Sequence, residues 1–208
     1  MNNPGAQAWE DRYSADHYMY GTEPNDFLVE AVKDLPLGRV LCLADGEGRN
    51  GVYLARLGHD VTSMDLTHAG IGKAKNLAEE RGVKLNALVA DLATYDLGNQ
   101  EWDVIVSVFA HTPPEIRKRV HGAISTALSP GGRLLPEAYT PDQIGRGTCG
   151  PPKSEFCMTL EGLTRELTDL EFTQGKELVR PVIEGPGHTG EGAVVQVVAT
   201  PITCTAAS

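Results

Sequence analysis

Short apolar runs alternate with amphipathic stretches between residues 39 and 139, and this alternation constrains the fold more than any other feature of the sequence. Five runs have the length and composition of buried strands: residues 39–44, 60–65, 85–90, 102–109 and 133–139. Apolar residues at helical spacing fill three of the four intervals, and Gly58 and Gly82 indicate where two helices end. Such an order of elements is typical of a mostly parallel sheet with helices on both faces.

The run 102–109 is almost continuously apolar, which predicts a strand buried on both faces at the centre of the sheet. Thr112 stands before two prolines and Glu115, a capping-box spacing that predicts the start of the next helix there. The Pro-Gly-Gly segment at 130–132 predicts the end of that helix, before the fifth strand.

Beyond residue 139 the sequence predicts a loop, a helix and a hairpin. Six of the twelve residues from 141 to 152 are Gly or Pro, which indicates a loop. Leu160, Leu163, Leu167 and Leu170 fall at helical spacing. The runs 172–182 and 193–200 flank a turn-rich stretch at 184–191 and predict a closing hairpin.

Length and charge limit the classes of function. The chain has 208 residues, enough for one domain of ordinary size, and its 18 Lys+Arg against 28 Asp+Glu give a net charge of −10. That balance disfavours long nucleic acids and anionic membranes as partners. There is no apolar stretch of the ~18 to 20 residues that a membrane span needs and no basic, apolar leader. We therefore expect a cytoplasmic protein whose four cysteines, Cys42, Cys149, Cys157 and Cys204, are reduced.

The predicted strand ends carry a glycine-rich acidic loop and two further carboxylates. The loop 44–49 joins the first strand to its helix, Asp65 ends the second strand and Asp91 follows the third. A carboxylate at these positions can accept hydrogen bonds from ribose hydroxyls or from an exocyclic amine. Each feature alone is typical of an ordinary turn or helix cap. Because the carboxyl ends of parallel strands meet at one edge, the three together predict one ligand pocket.

The loop 44–49 does not match a nucleotide diphosphate site. Neither GxGxxG nor GxxxxGK[ST] occurs in the sequence, and the carboxylates of Asp45 and Glu47 would repel a pyrophosphate. An acidic glycine-rich loop suits a cationic ligand instead.

The sequence resembles the class I S-adenosylmethionine-dependent methyltransferases. The resemblance rests on four segments: residues 40–50 for the first motif, 61–65 for the ribose-binding acid, 89–92 for the adenine contact and 102–109 for the fourth motif. The N-terminal segment is similar to that of the tellurite-resistance and thiopurine methyltransferase group, through Trp9, Glu10, Arg12, Tyr13, Tyr20, Gly21, Pro24 and Asn25. The resemblance implies a Rossmann-like three-layer α/β/α sandwich, with a mostly parallel seven-stranded sheet and an antiparallel last strand.

The resemblance implies S-adenosyl-L-methionine as the cofactor. It places cofactor contacts on the N-terminal segment, the first motif and the strand ends: Trp9, Arg12, Tyr20, Ala44, Asp45, Gly46, Gly48, Asn50, Asp65, Leu66, Asp91, Leu92 and Val108. In the related group the N-terminal segment folds over the cofactor, so Arg12 is expected to pair with the methionyl carboxylate. Ring packing within an N-terminal helix is the alternative role of Trp9 and the tyrosines.

The first motif departs from the family pattern at two positions. Cys42 and Ala44 stand where many members have an acidic residue and a first glycine. The usual carboxylate contact to the methionyl amino group is therefore expected from Asp45 or from backbone carbonyls of the loop.

Methyl transfer from a sulfonium is an in-line displacement that requires alignment and the exclusion of water. A general base is needed only when the nucleophile arrives protonated with a high pKa. His111, which follows the fourth strand, is the candidate base, and Arg146, between two glycines, is the candidate grip for an anionic substrate. The alternatives are a structural histidine beside a helix and an exposed charge. His188 is a further lid candidate, and no metal is expected, because no metal-ligand spacing occurs.

We expect a single methyltransferase domain over residues 1–208. Residues 1–35 are expected to cover the cofactor, 39–139 to bind it and 140–200 to form the substrate side. The expected activity is methyl transfer to a small molecule, and the resemblance implies a soft sulfur, selenium or tellurium nucleophile. A non-catalytic S-adenosylmethionine-binding module and a methyltransferase for an oxygen or nitrogen nucleophile remain alternatives. Nucleic acid and membrane are not expected partners, and the chain is expected to be a monomer or a homodimer.

Overall fold

The computed structural model describes residues 4–146 and 150–202, and within them seven strands form one sheet. The strands are β1 Arg39–Cys42, β2 Asp60–Asp65, β3 Asn86–Val89, β4 Trp102–Val108, β5 Leu128–Tyr139, β6 Leu170–Ile183 and β7 Thr189–Pro201. Their order is β3-β2-β1-β4-β5-β7-β6, in which only β7 runs antiparallel to its neighbours. The predicted Rossmann-like fold is confirmed.

Six α-helices accompany the sheet in the described residues: α1 Pro4–Tyr13, α2 Asp26–Ala31, α3 Arg49–Leu57, α4 His68–Glu80, α5 Pro114–Ala127 and α6 Leu160–Glu166. Successive side chains of a strand point to opposite faces. Accordingly, Leu41 and Ile105 pack in the core cluster that contains α5 and α6, whereas Val40 and Val104 pack in the cluster that contains α2 and α3. The sheet is therefore the middle layer of a sandwich. None of the described helices is long and apolar enough to cross a membrane.

The helix α5 corrects one prediction. Thr112 does not cap it, because the helix begins at Pro114 and the cap residue is Pro113, whose side chain makes no capping hydrogen bond. Pro113 is held in an extended conformation (φ −50°, ψ 146°), as expected for a residue that precedes a proline. The capping-box spacing at Thr112 was therefore misleading.

Other predicted boundaries differ by a few residues. Strand β5 begins at Leu128, before the predicted 133, because Leu128 already pairs with Trp102 of β4. Helix α6 ends at Glu166, and Leu170 belongs to β6 because it pairs with Pro201. The predicted 141–152 loop begins with a short 3-10 turn, Pro141–Gln143, and a second 3-10 turn, Ser154–Phe156, follows it. Cys149 and Cys204 lie outside the described residues, and Cys42 and Cys157 are free and buried.

The N-terminal segment docks on α4. The Glu10 carboxylate accepts the backbone N–H groups of His68 and Ala69, both at 2.9 Å, at the start of that helix. An acidic side chain is favourable there because the first helical N–H groups lack partners within the helix. Tyr18 adds a hydrogen bond from its hydroxyl to the carbonyl of Lys73, at 3.2 Å. These contacts hold the segment over the loop that follows β1.

A buried polar network joins the N-terminal segment to the C-terminal half of the sheet. Glu137 of β5 is fully buried and accepts hydrogen bonds from Arg180 (2.7 and 2.9 Å), Gln196 (2.6 Å) and Asn25. Buried charges are tolerated only when they are paired and hydrogen-bonded. Glu137 satisfies this requirement with partners from three separate segments of the chain.

A second buried carboxylate extends the network to α3. Glu184, just after β6, pairs with Arg49 and Arg180 and accepts a hydrogen bond from Asn25 at 2.9 Å. Together Asn25, Arg49, Glu137, Arg180, Glu184 and Gln196 are called the buried network below. Asn25 bonds to both glutamates, so the position of the N-terminal segment depends on them.

Replacing Glu137 by Ala is expected to lower the free energy of unfolding by about 3–5 kcal/mol, because the buried guanidinium of Arg180 loses its main partner. Urea unfolding measures the effect. The matched control is Glu171→Ala on exposed β6 surface, which should change stability by less than ~0.5 kcal/mol. Equal effects of the two substitutions would show that the network contributes no stability.

Candidate functional site

The loop after β1 is a tight turn with three residues in the left-handed region: Ala44 (φ 47°), Gly46 (φ 59°) and Gly48 (φ 87°). A Cβ on Gly46 would lie 2.6 Å from the hydroxyl of Tyr13, and one on Gly48 would lie 2.5 Å from Ala74 of α4. Both positions therefore require glycine. Ala44 takes the same left-handed conformation with a side chain, at some cost in strain.

The two acidic side chains of this loop are directed into the protein. Asp45 accepts hydrogen bonds from the hydroxyl of Ser63 (2.7 Å) and the N–H of Gly51 (3.1 Å), and burial raises its pKa to about 6 against the opposing effect of these bonds. Glu47 is buried and pairs with Lys73 at 2.8 Å, while accepting the N–H of Tyr20 at 3.2 Å. Both carboxylates thus brace the loop.

Asp65 lies at the carboxyl end of β2 with its side chain fixed. It accepts hydrogen bonds from Thr67, through N–H (3.0 Å) and hydroxyl (2.7 Å), and from the N–H of Gly46 (3.0 Å). Burial raises its pKa, and these bonds to the ionised form oppose the rise. The backbone N–H of Leu66 also contributes to this hydrogen bonding.

The end of β3 adjoins Asp65. The N–H of Ala90 donates to the carbonyl of Asp65 at 2.8 Å, which places Asp91 beside the β2 end. One carboxylate oxygen of Asp91 accepts the N–H of Ala93 at 2.8 Å. Leu92 is buried next to it, and Leu66 is half-buried after Asp65. The structure therefore brings these four predicted residues to one edge of the sheet.

The aromatic residues of the N-terminal segment lie over the glycine turn. Trp9 and Tyr13 stack with ring centroids 5.6 Å apart, and Tyr20 lies 6.2 Å from Tyr13. Arg12 stacks on Trp9 and donates to the hydroxyl of Tyr20 at 3.0 Å. In the described part of the chain Arg12 forms no ion pair, so its exposed guanidinium is available to an anionic group of a ligand.

Asn50, a predicted cofactor contact, and Cys42, one of the two departures from the family pattern, both contact other parts of the protein. The side-chain oxygen of Asn50 accepts the N–H of Asn25 at 3.0 Å and so holds the N-terminal segment. Cys42 packs in the apolar core with Val40 and Leu54, and burial raises its pKa well above the usual value for a thiol.

Strand β4 ends at the buried Val108, and the next residue, Phe109, has a left-handed backbone (φ 53°) that is unusual for an aromatic residue. This turn directs the Phe109 ring against Tyr139 at 4.6 Å and His188 at 4.7 Å. The Tyr20 ring lies 4.4 Å from that of His188. We call Tyr20, Phe109, Tyr139 and His188 the aromatic cluster.

Both ring nitrogens of His111 are engaged with the backbone. Nδ1 lies 2.9 Å from the carbonyl of Phe156, and Nε2 accepts the N–H of Tyr139 at 3.2 Å. The carbonyl can only accept, so these partners require a neutral ring protonated at Nδ1. Burial lowers the pKa of His111 to about 4. In this arrangement the ring has no lone pair available for a substrate proton.

Arg146 lies on the loop after β5, and its side chain is exposed. Its guanidinium donates to the carbonyl of Asp142 at 2.9 Å, within the same loop. The structure does not bring Arg146 into contact with His111 or the aromatic cluster.

Sequence reasoning did not identify the buried network or the aromatic cluster as parts of this site. One signal was present for the network: Glu137 is a charged residue inside the apolar run 133–139. A charge at such a position indicates a buried partner. For the cluster, Tyr20 lies more than a hundred positions from both Tyr139 and His188, and only the fold brings them together.

The polar and aromatic side chains at this edge fit an adenosyl ligand with a positively charged sulfur. The carboxylate of Asp65 suits a ribose hydroxyl, Asp91 suits an amine and Arg12 suits a carboxylate. The aromatic rings beside them offer faces that attract a cation. The residues present therefore fit the cofactor that the sequence resemblance implies.

Comparison with known proteins agrees with this geometry. Residues 40–132 match a family model described as a methyltransferase domain. The chain is 32% identical over 98 residues to the probable S-adenosyl-L-methionine-dependent methyltransferase TehB of Haemophilus influenzae, which covers 47% of this chain and 33% of TehB. It spans about a third of the length of the curated relatives that it matches (28 to 37%).

Solved structures share the fold. The crystal structure of TehB from Haemophilus influenzae superposes with a TM-score of 0.71 at 21% identity, over 95% of this chain and 67% of the other. A structure described for the conversion of a disulfide bond into a thioacetal group during echinomycin biosynthesis gives a TM-score of 0.77 at 18% identity, over 97% and 93% of the two chains.

Asp65→Ala is expected to weaken S-adenosylmethionine binding by about 1–3 kcal/mol, because a buried charged acceptor of the ribose is lost. Isothermal titration calorimetry measures the change. Asp60→Ala is the control, since Asp60 is exposed at the opposite end of β2. Unchanged affinity in Asp65→Ala would show that the second motif does not hold the ribose.

His111 is expected to make stability depend on pH. Its pKa is about 4 in the folded protein and about 6.5 in an unfolded chain, so the unfolded state binds the proton first as the pH falls. The contribution of neutral His111 to the free energy of unfolding is present above about pH 6.5 and is lost as the pH falls towards about 4. Urea unfolding of His111→Asn and the wild type should therefore differ less at low pH than at neutral pH. His17→Asn, at an exposed position, is the control, and a gap that stays constant would contradict the assignment.

The strand order, the glycine turn after β1, the carboxylate at the end of β2 and the sequence match over residues 40–132 agree with one another. S-adenosylmethionine is the cofactor in the description of the matching relative TehB, and a glycopeptide N-methyltransferase with a related fold was solved in complex with it. The chain therefore carries a methyltransferase domain match over residues 40–132, and it is similar in sequence and fold to the probable S-adenosylmethionine-dependent methyltransferase TehB.

Proposed function

We propose that the protein transfers a methyl group from S-adenosylmethionine to a small-molecule acceptor. The observation that carries the proposal is the position of the aromatic cluster. It lies at the end of β4, next to the β1 end and its glycine turn, where ligands bind in open α/β sheets. The cofactor side and an apolar acceptor side therefore meet at one point of the sheet edge.

The residues of the chain have separate tasks in this proposal. Asp65 and Asp91 accept hydrogen bonds from the adenosine part of the cofactor, and Arg12 pairs with its carboxylate. Bound S-adenosylmethionine supplies a methyl group activated by a sulfonium. Trp9, Tyr13 and the aromatic cluster exclude water from the reacting atoms, which strengthens the local electrostatic interactions.

We propose a soft sulfur, selenium or tellurium nucleophile as the acceptor. His111 has no free lone pair, so this histidine cannot activate an alcohol or amine in the observed arrangement. A polarisable nucleophile suits the aromatic rings better than a strongly hydrated oxygen anion does. The similarity to TehB and the sulfur chemistry described for the echinomycin protein support the same choice.

The proposal extends to the organisation of the chain. Residues 1–35 cover the cofactor, 39–139 bind it and 140–200 border the acceptor, within one methyltransferase domain. The docking of α1 on α4 and the bonds from Asn25 to both buried glutamates support this division. We propose a cytoplasmic monomer or homodimer that binds neither nucleic acid nor membrane.

The purified protein is expected to methylate an alkyl thiol or hydrogen selenide, with S-adenosylhomocysteine as the coproduct. Mass spectrometry of both products measures the reaction, and the protein with Asp65→Ala serves as a matched control of reduced activity. Product from an alcohol or amine alone would favour the alternative acceptor class. Calorimetric binding without turnover on any acceptor would favour a non-catalytic binding module, and no binding would reject both.

A further inference from the structure

We propose that His188 contacts the acceptor and removes its proton during methyl transfer, and that Glu184 positions the His188 ring. The inference rests on the proposed function and adds a residue to it. It also states that the acceptor enters the site in its protonated form.

His188 lies in the turn between β6 and β7, and its side chain is 10% exposed. Its ring is held among three aromatic residues: Tyr20 at 4.4 Å, Phe109 at 4.7 Å and Tyr139 at 5.5 Å. Two of them come from the functional edge of the sheet, since Phe109 follows β4 and Tyr20 packs on the residues that cover the glycine turn. The imidazole therefore borders the point where the cofactor and acceptor sides meet.

The Nδ1 atom of His188 is buried without a hydrogen-bond partner in the described part of the chain. Such an atom is costly unless a ligand or a small movement satisfies it. The nearest acceptor is Oε2 of Glu184 at 3.6 Å, which is too long for a hydrogen bond. A shift of less than 1 Å would bring the two atoms to hydrogen-bond distance.

Glu184 favours one tautomer of the His188 ring. A carboxylate beside Nδ1 stabilises the proton on that atom, so the lone pair lies on Nε2. Glu184 itself is fixed by Arg49 and Arg180. Burial opposes its ionisation, but the neighbouring His188 and the guanidinium of Arg49 outweigh burial and lower the pKa of Glu184 to about 2. It can orient the ring and stabilise the imidazolium that forms, as a carboxylate does in a histidine dyad.

The two histidines near β4 differ in the availability of a lone pair. Both ring nitrogens of His111 form hydrogen bonds with the backbone. In the described residues, Nδ1 of His188 has no hydrogen-bond partner. His188 is therefore the histidine of this pair that can exchange a proton with a ligand.

The charges around His188 leave it neutral and able to accept a proton near pH 7. Burial and the positive charge of Arg49 lower its pKa, while Glu184 and Glu137 raise it, with a net lowering. The other titratable groups that face it are His111 and the phenols of Tyr20 and Tyr139. A thiol with a pKa of about 8.5 can lose its proton to such a base, whereas an aliphatic alcohol is far too weak an acid.

The proposed step balances. The acceptor sulfur forms a bond to the methyl carbon, and the bond from that carbon to the sulfonium sulfur breaks, with its electron pair remaining on the departing sulfur. The proton of the acceptor passes to Nε2 of His188, and the imidazolium releases it to water after the products leave. No oxidant or reductant takes part.

The test compares two thiols that differ in acidity. With an alkyl thiol near pH 7, His188→Gln should lower kcat by about 100-fold or more, since general-base catalysis contributes 10² to 10⁴. With a nitro-substituted aromatic thiol, which is already ionised at this pH, the same variant should lose less than ~5-fold. Activity on the second thiol also shows that the variant is folded. His68→Gln, at an exposed position, is the control.

A pH profile separates a proton acceptor from a structural residue. The kcat of His188→Gln on the alkyl thiol should rise about tenfold per pH unit and approach the wild-type value near pH 9, where the thiol ionises by itself. In Glu184→Gln the rising limb of the wild-type profile should move to lower pH, because the carboxylate no longer raises the histidine pKa.

Equal losses on both thiols, or no recovery at high pH, would overturn the role of His188 and leave the proposed function standing. A wild-type protein that methylates neither thiol would overturn the proposed function and this assignment with it.

Discussion

The fold depends on a pair of buried glutamates and the two arginines that neutralise them. Glu137 and Glu184 come from neighbouring parts of the C-terminal sheet, and Arg49 comes from the start of α3. Each carboxylate would be strongly destabilising without its partners. Asn25 bonds to both glutamates and so joins the N-terminal segment to β5 and to the turn after β6. The buried network therefore links the cofactor side of the proposed site to its acceptor side.

The strand and helix order could be predicted from local pattern, because burial on both faces gives parallel strands a continuous apolar signal. The strand-end residues Asp65 and Asp91 followed from that order. The direction in which a side chain points could not be predicted in this way. Asp45 and Glu47 have the negative charge expected beside a cationic ligand, yet they bond to Ser63 and Lys73 inside the protein. Contacts such as Asn25 with Glu137 join residues more than a hundred positions apart, and no local pattern encodes them.

The same limit applies to the choice of histidine. His111 was the natural candidate because it follows the central strand in the sequence. Its role depends on Phe156 and Tyr139, which bond to both ring nitrogens and come from later segments of the chain. His188, which the sequence places only in a turn, has an unsatisfied nitrogen beside a fixed carboxylate. Hydrogen-bond satisfaction, which is a property of the folded structure, distinguishes the two.

Charge at the sheet edge bears on the form in which an acceptor enters. With Asp45 and Glu47 engaged internally, Asp65 and Asp91 are the carboxylates left to the cofactor, and Arg12 is the exposed cation on the cofactor side. On the acceptor side, Glu137 and Glu184 lie behind the aromatic cluster, and their charges are balanced by Arg49 and Arg180. Arg146, the cation predicted to bind an anionic substrate, donates its Nε–H to a carbonyl of its own loop. Desolvating an anion at such a place is unfavourable, whereas a neutral thiol enters readily. The acceptor must then lose its proton inside the site, which is the task that His188 is placed to perform.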